Sequence, residues 1–231
     1  YHILLTVANP AGVVNRYALP CRGAPQQSMV TSRTACTADV FWNEYEQGQW
    51  SLKHQVLDLS AGPVQDAAVV TTSPSLLGPP AVVAMEQGLW AAWSAKTPDG
   101  LRIRIARKTA DEWKPGEWIS EPGRDAHRPV LSAADGVLFM AWDEYRAERY
   151  ETVLAAVRSA GEVRELQRLS AARSRFINPA LAARTATEVY LAVVRLDTVT
   201  DDWGVVDRHA VAEVGLWNGE AYVPLAANDT S

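Results

Sequence analysis

The sequence predicts an all-β protein, a β-propeller built from four-stranded blades of about 50 residues each. One observation is a repeat, in which an apolar strand, a small-residue turn and a second apolar strand recur with Trp42, Trp93 and Trp142 at the same position. The other is the absence of capped, helix-period segments, because the connections are short and rich in Pro, Ser and Gly. Small sheets that pack face to face on copies of themselves at this period form a propeller.

The repeat divides the chain into four full blades and one half blade. The full blades begin near Met29, Pro80, Pro129 and Pro179, and they cover about residues 29–78, 79–128, 129–178 and 179–231. Residues 1–28 form the half blade, because Tyr1 aligns with Tyr150 at the start of the outer half of a blade. We therefore expect one domain over residues 1–231, and five or more blades in the complete propeller. We also expect another segment or another chain to complete the half blade, since an isolated half exposes a strand edge.

The strands of each repeat follow from local patterns. The second strands read ADVFW, LWAAW, VLFMAW and VYLAVV, and they are apolar at nearly every position. Strands of this kind are covered on both faces. The tight turns within Trp113–Trp118 and Trp217–Tyr222 predict hairpins that lead to fourth strands, and the repeat assigns Glu162–Arg173 to a fourth strand as well.

Composition excludes several classes of function. The formal net charge of −5 argues against a nucleic-acid backbone as partner, which would need a basic stripe. No apolar run approaches the roughly 18 residues that a membrane helix needs, so we expect no membrane span. Glycine-rich cofactor and phosphate motifs are missing from the sequence, and its four histidines are isolated. We therefore expect neither a cofactor nor a metal site.

The repeat consensus resembles that of sialidase-like propellers of the BNR type, found in secreted bacterial proteins. It consists of a proline, an apolar strand, an Asp-Gly turn, an apolar strand ending in Ala141–Arg146, and a Tyr-led strand. The Asp-box of that family is present only in degenerate form, at Arg158–Gly161 and Lys108–Trp113. The resemblance implies an extracytoplasmic or secreted location and a glycan as the class of ligand.

Catalysis in sialidases needs a set that this sequence does not place. There, three arginines hold the substrate carboxylate, a Tyr with a Glu partner is the nucleophile, and an Asp is the acid/base. Glu144 and Tyr145 are adjacent, so on a strand they point to opposite faces, and Glu44 and Tyr45 repeat them. Carboxylates from different blades can still meet near the axis. The candidates for a catalytic role are Asp125, Asp143, Glu144 and Asp197.

The leading hypothesis is therefore a non-catalytic binding or scaffold module of a larger extracytoplasmic protein. It would hold a glycan, a peptide or a neighbouring domain on its top face, where the loops between blades meet those between second and third strands. The alternative is a glycoside hydrolase of the sialidase-like or five-bladed kind. Charged and polar residues that do not repeat from blade to blade fall in these loops and are suited to carboxylates or hydroxyl-rich ligands. They are Arg124, His127, Arg128, Asp143, Arg146, Arg149, Arg173, Arg175, Asn178 and Arg195.

The two cysteines, Cys21 and Cys36, fall at opposite ends of a predicted strand. A strand of 5 to 6 residues spans about 17 to 20 Å, which is beyond the reach of a disulfide. We therefore predict two separate thiols.

Overall fold

The structure is a computed structural model that describes residues 1–8, 14–32, 34, 36–109, 112–114, 116–157, 162–172, 174–200 and 206–229. These residues form strands and turns and contain no α-helix. The chain divides into two compact units, of which the first comprises Tyr1–Lys96 and Ile105–Gly116. The second comprises Thr97–Arg104 and Glu117–Ser231.

Two antiparallel sheets lie wholly in the first unit. One is the hairpin of β1 (His2–Ala8) and β2 (Val14–Pro20). The other has the order β3-β4-β5, with the short strands β6 and β7 both paired to β5. Its strands are β3 (Ala24–Ser32), β4 (Thr37–Glu46), β5 (Gln49–Asp58), β6 (Gly62–Pro63) and β7 (Ala68–Ser73).

A third sheet has the order β8-β9-β10, and two short strands, β11 and β12, both pair with β10. Its strands are β8 (Ala81–Met85), β9 (Gly88–Thr97), β10 (Gly100–Thr109), β11 (Glu112–Trp113) and β12 (Glu117–Trp118). The predicted turn between Trp113 and Trp118 thus separates two pieces of an interrupted fourth strand.

Two regular four-stranded sheets lie in the second unit, each with consecutive strands as antiparallel neighbours. The first consists of β13 (Asp125–Ala134), β14 (Val137–Arg146), β15 (Arg149–Val157) and β16 (Val163–Leu169). The second consists of β17 (Ser174–Thr185), β18 (Glu188–Thr200), β19 (Val206–Trp217) and β20 (Tyr222–Asp229). The fourth strand predicted within Glu162–Arg173 is confirmed as β16, and the hairpin before Tyr222 joins β19 to β20.

Three of the four second strands are buried on both faces, as their apolar sequences predict. In the fourth, β18, buried and half-buried residues alternate from Val189 to Val194, so the prediction was wrong there. β4, β9 and β14 each carry seven consecutive buried residues. Trp42, Trp93 and Trp142 are at most 3% exposed. Burying such large aromatic side chains at one recurring position is a dominant source of hydrophobic stabilisation in each sheet.

The β1–β2 hairpin packs one face on the neighbouring sheet of its unit. Leu19 belongs to the core cluster of Val40, Trp42 and Leu57, and Ile3 and Leu5 pack against it. Within the described part of the chain, β1 and β2 pair only with each other. The predicted blade boundaries and the partner that would complete the half blade remain predictions.

Several candidate residues lie in strands where loops were predicted. Asp125, His127 and Arg128 belong to β13, and Arg175 and Asn178 belong to β17. The loop prediction was wrong because each first strand continues past its proline through a β-bulge, at 127–130 and at 177–180. Proline lacks a backbone N–H and is tolerated at a bulge, so it does not end the strand.

Cys21 is buried and Cys36 is exposed, and both are free thiols, as predicted. No helix among the described residues is long and apolar enough to cross a membrane.

Candidate functional site

Asp143 is the centre of a polar network in the second unit. Its carboxylate is fully buried on β14, and Arg128 of β13 donates from Nε to Oδ2 over 2.6 Å. A second arginine nitrogen, Nη2, lies 2.6 Å from the same oxygen. Thr152 donates to Oδ1 over 3.3 Å, and the backbone N–H of Asn178 donates to Oδ2 over 3.2 Å. Asp143 therefore links its own sheet to the first strand of the next sheet.

The two bulges explain why this network forms. Arg128 and Asn178 each precede the proline of a first strand, and both have left-handed backbone conformations, with φ of 48° and 55°. A positive φ is uncommon outside glycine and costs free energy unless surrounding contacts fix it. Here the Asp143 carboxylate supplies those contacts, to the side chain of Arg128 and to the backbone of Asn178.

Burial raises the pKa of Asp143 above its ordinary value of 3.8, and hydrogen bonds from Arg128 only partly oppose this effect. A raised pKa is one property of a general acid. Access is the other, and the Asp143 side chain is 0% exposed. In this arrangement the residue serves to join strands.

Glu144 occupies a second charged network beside Asp143. It is 1% exposed and accepts hydrogen bonds from Trp142 Nε1 at 3.1 Å, Arg124 Nη1 at 3.1 Å and Arg168 Nη1 at 2.7 Å. Burial alone would raise its pKa, but hydrogen bonds from Arg168 and Trp142, with the charge of Arg168, lower it below 4.5. Tyr145 is 37% exposed, so the two neighbours face opposite sides of the strand as predicted.

Sequence reasoning missed Arg168, which connects three carboxylates. It bonds to Glu144, to Glu151 at 2.9 Å and to Glu165 at 2.8 Å. One signal for Arg168 was available in the sequence, namely an acid three residues before it, Glu165, on the predicted fourth strand. Among the described residues, no fourth strand of another blade has an arginine that forms an ion pair of this kind.

The other two catalytic candidates also have structural contacts. Asp125 accepts the backbone N–H of Leu101 at 2.8 Å. Asp197 accepts a hydrogen bond from the Ser174 hydroxyl at 2.6 Å, and Arg195 Nε lies 3.1 Å from each of its two carboxylate oxygens. Arg195 in turn reaches Glu213 at 2.7 Å. Glu213 was not predicted, because its role depends on the pairing of β18 with β19.

One pocket in the second unit brings predicted ligand-binding residues together. It has a volume of about 580 Å³ and is lined by the turn 147–149, by Ala172, Ser174 and Arg175, and by Thr198. Arg149 and Arg175 are exposed, and within the described part of the chain neither guanidinium has an ion-pair partner. This surface, the Arg149–Arg175 pocket, is the candidate ligand-binding site.

The remaining predicted residues lie apart from that pocket lining. His127 lies opposite Asp143 in the β13–β14 ladder, and burial lowers its pKa below 6.5. Arg146 is exposed at the end of β14. Arg173 lies outside the described residues. The described side chains include no group of three His, Cys, Asp or Glu residues that could hold a metal ion.

The architecture is similar to that of known proteins among solved structures only. No protein-family model and no curated protein sequence matches the chain. Among solved structures, it is similar to a Penicillium chrysogenum α-L-arabinanase complexed with arabinobiose, at 12% identity and a TM-score of 0.62. That match covers 98% of this chain and 71% of the arabinanase.

Two further solved structures are sialidase-like. A neuraminidase-like protein of A/little yellow-shouldered bat matches at 12% identity and a TM-score of 0.55, over 87% of this chain and 59% of its own. A Trypanosoma rangeli sialidase in complex with sialic acid matches at 8% identity and a TM-score of 0.52, over 97% of this chain and 50% of its own. The chain thus spans between half and about seven tenths of these proteins. The fold is a β-propeller, as the repeat predicted.

Proposed function

We propose that this protein is a non-catalytic β-propeller module that binds a carboxylate-bearing saccharide in the Arg149–Arg175 pocket. The observation that carries the proposal is the pair of exposed guanidinium groups on one pocket without acidic partners among the described residues. Planar guanidinium forks bind carboxylates through paired hydrogen bonds. The nearby hydroxyls of Ser174 and Thr198 suit a ligand rich in hydroxyl groups.

The contacts of the four candidate carboxylates support a non-catalytic role. Asp143 and Glu144 are at most 1% exposed and are held by arginines, and Asp125 and Asp197 fix backbone or side-chain donors. A retaining or an inverting glycosidase needs two accessible carboxyl groups flanking the scissile bond. None of these four acids is both accessible and free of a structural partner.

The class of ligand is supported by the structural neighbours. Arabinobiose is bound by the arabinanase and sialic acid by the sialidase, and sialic acid is a carboxylate-bearing sugar. Binding should be measured by calorimetry with the methyl glycosides of sialic acid and of glucuronic acid, and with neutral methyl glucoside. We expect Arg149→Ala and Arg175→Ala each to weaken binding of the acidic glycosides about tenfold, since each removes a hydrogen bond to a charged group.

Arg184→Ala is the matched control, because Arg184 is 70% exposed in the same unit and pairs with Glu188 at 3.6 Å. It should leave the affinity unchanged. Equal affinity for acidic and neutral glycosides, with no effect of either pocket variant, would exclude this function.

A second candidate function is glycoside hydrolysis, favoured by the raised pKa of Asp143 and by the glycosidases among the structural neighbours. It requires Arg128, whose side chain is 46% exposed, to move and open Asp143 to substrate. Turnover of aryl glycosides that is abolished by Asp143→Asn and retained in Asp197→Asn would establish it in place of the binding role.

A larger extracytoplasmic parent protein is part of the same proposal. Inner strands from another segment or another chain would pair with the edge of β1 that does not face β2 and complete the half blade. Amides of β1 that face this edge should exchange hydrogen rapidly in the present chain and slowly in the complete polypeptide. Fractionation of the producing cells tests the location.

A further inference from the structure

The first unit contains a second pocket, which none of the predicted site residues lines. Its volume is about 520 Å³, and it opens where the end of β2 meets one face of the β3–β7 sheet. Its polar lining residues are Arg22, Glu44, Lys53, Gln55 and Asp66. We refer to it as the Lys53 pocket.

The β3–β7 sheet is open at this point because of a difference from the β13–β16 sheet. The difference lies in one row of residues, that is, in residues paired side by side across neighbouring strands. Across β14, β15 and β16, the row is Trp142, Val153 and Arg168. Across β4, β5 and β7, the corresponding row is Trp42, Lys53 and Val69.

The positively charged residue is therefore on the fourth strand in the β13–β16 sheet, as Arg168, and on the third strand in the β3–β7 sheet, as Lys53. Arg168 reaches three carboxylates, one of them Glu151, and the residue equivalent to Glu151 in the first unit is Ser51. Val69 is too short to cover the sheet face that Arg168 covers. An open pocket remains there, with a lysine inside it.

Of the two acids that line this pocket, Glu44 and Asp66, the buried one already has its own donors. Glu44 is 2% exposed, and its Oε1 accepts the backbone N–H groups of Arg22 at 3.1 Å and Gly23 at 3.0 Å. Its Oε2 accepts Trp42 Nε1 at 3.0 Å. Lys53 is half-buried and has no ion-pair partner among the described residues. Burying a charge costs free energy unless it is paired, so a half-buried ammonium group that forms no ion pair favours the binding of an anion.

A second polar group also points to a ligand. Gln55 is only 5% exposed, and its amide nitrogen donates to the Gln65 carbonyl at 2.6 Å. No described residue donates to its amide oxygen, which therefore remains available to a hydroxyl group in the pocket.

The Cys21 thiol in this pocket is not suited to act as a nucleophile. Cys21 lines it, but burial raises the pKa of the Cys21 thiol, and the charge of Glu44 raises it further. A thiol held protonated in this way is a poor nucleophile.

We propose that the Lys53 pocket binds a small hydroxylated carboxylate, such as an acidic sugar residue. Lys53 pairs with its carboxylate, and the oxygens of Gln55 and Glu44 accept hydrogen bonds from its hydroxyl groups. The site is separate from the Arg149–Arg175 pocket and does not depend on the function proposed for that pocket.

The test uses the full chain carrying Arg149→Ala and Arg175→Ala, so that only the Lys53 pocket is measured. Methyl glucuronide, methyl glucoside and inorganic phosphate are titrated by calorimetry. We expect the glucuronide to bind, and Lys53→Met to weaken it about tenfold or more, because it removes a charged hydrogen bond. Lys53→Arg should restore most of the affinity.

Lys96→Met is the matched control, because Lys96 is an exposed lysine of β9 outside the pocket lining. It should bind the glucuronide as the parent does. Val69→Phe is a second variant that fills the pocket. Because the Val69 side chain is 47% exposed, we expect this variant to fold. It should abolish binding.

Four results would overturn the proposal, and the fourth also separates it from the function proposed above. One is a glucuronide affinity that Lys53→Met changes by less than about twofold. Another is binding of methyl glucoside or phosphate as tight as that of the glucuronide, which would exclude a hydroxylated carboxylate as the ligand. The third is unaltered binding in folded Val69→Phe. If acidic glycosides bind the parent chain but not the double-arginine variant, the Lys53 proposal fails while the function proposed above stands.

Discussion

The β3–β7 sheet and the β13–β16 sheet each contain a buried tryptophan and glutamate at equivalent positions, but different groups donate hydrogen bonds to the two glutamates. In each, a tryptophan of the second strand donates its indole N–H to a glutamate two residues later, from Trp42 to Glu44 and from Trp142 to Glu144. Glu44 then accepts two backbone amides, whereas Glu144 accepts two guanidinium groups. The repeat thus preserves the contact between indole and carboxylate, whereas the remaining donors to the carboxylate differ between the two sheets.

A single position explains much of the difference. The first strands pair with their second strands in the same register, Ala24 with Tyr45 and Asp125 with Tyr145. Gly23 and Arg124 are therefore equivalent. At Gly23 a Cβ atom would lie 2.0 Å from the Tyr45 carbonyl oxygen, so only glycine lets the backbone approach Glu44 there.

The largest expected effect separates the two glutamates. Glu144→Gln keeps the shape of the side chain but removes the negative charge that faces Arg124 and Arg168. We expect it to lower the free energy of unfolding by about 3 kcal/mol, as for a broken buried ion pair. Glu44 accepts hydrogen bonds from neutral groups and is in no ion pair among the described residues. Glu44→Gln should therefore lower the free energy of unfolding by only about 1 kcal/mol, the contribution of an ordinary hydrogen bond.

Urea unfolding followed by tryptophan fluorescence measures both values. Glu188→Gln is the control, because that residue is in an exposed pair with Arg184 and should change stability by less than about 0.5 kcal/mol. Equal costs at positions 44 and 144 would show that the two environments are energetically alike.

Gly23→Ala tests the close backbone approach. The added methyl group must displace the chain from the Tyr45 carbonyl and draw the two amides away from Glu44. We expect a loss of roughly 1–3 kcal/mol in the free energy of unfolding, similar to overpacking a core. Arg22→Ala keeps the backbone N–H and should have little effect in the same urea titration. A neutral Gly23→Ala would contradict the proposed constraint.

The adjacent acids Asp143 and Glu144 should affect the pH dependence of stability with opposite signs. The pKa of Asp143 is raised above 3.8 in the folded chain, so this group lowers stability as pH rises from about 4 through the folded value. The pKa of Glu144 is lowered below 4.5, so its contribution is present above that pH and is lost as pH falls.

Asp143→Asn should therefore make stability rise more with pH, and Glu144→Gln should make it rise less. Unfolding free energies between pH 3 and 7 measure these slopes. Slopes that change in the same direction in both variants would refute the assignment.

The smallest effect is expected from exchanging the two rows. The double change Lys53→Val with Val69→Arg gives the first unit the row of the β13–β16 sheet. A new arginine over Glu44 should change the free energy of unfolding by less than about 1 kcal/mol, because a partly exposed ion pair contributes little. Binding of methyl glucuronide to the Lys53 pocket should be lost. A large gain in stability would mean that Glu44 lacks sufficient donors at present.

Much of the fold could be predicted because its signals are local. Apolar runs of strand length, Asp-Gly turns and recurring tryptophans indicated the sheets, and β4, β9 and β14 are buried as their sequences predict. The strand ends were less predictable. Pro129 and Pro179 were interpreted as starts of strands, but bulges carry the hydrogen bonding past them. Both bulges are held by contacts with Asp143, which lies 15 residues from Arg128 and 35 residues from Asn178, and no local pattern contains that information.

The candidate site was predicted in part. Asp143, Arg128 and Asn178 meet in one network, and Arg149 and Arg175 line one pocket. Arg168 and Glu213 were missed because their partners lie on other strands, 24 residues away for Arg168 and 18 for Glu213.

The sequence by itself determined the all-β class, the period of the repeat, the burial of three second strands and the separation of the two thiols. Each of these depends on patterns within a few consecutive residues, or on spacing along the chain. The tertiary structure alone decided which donor neutralises each buried carboxylate, where the strands bulge and which arginines and lysines remain unpaired. These features depend on the register between strands and on packing between sheets. A shift of one residue would give every one of these side chains a different partner.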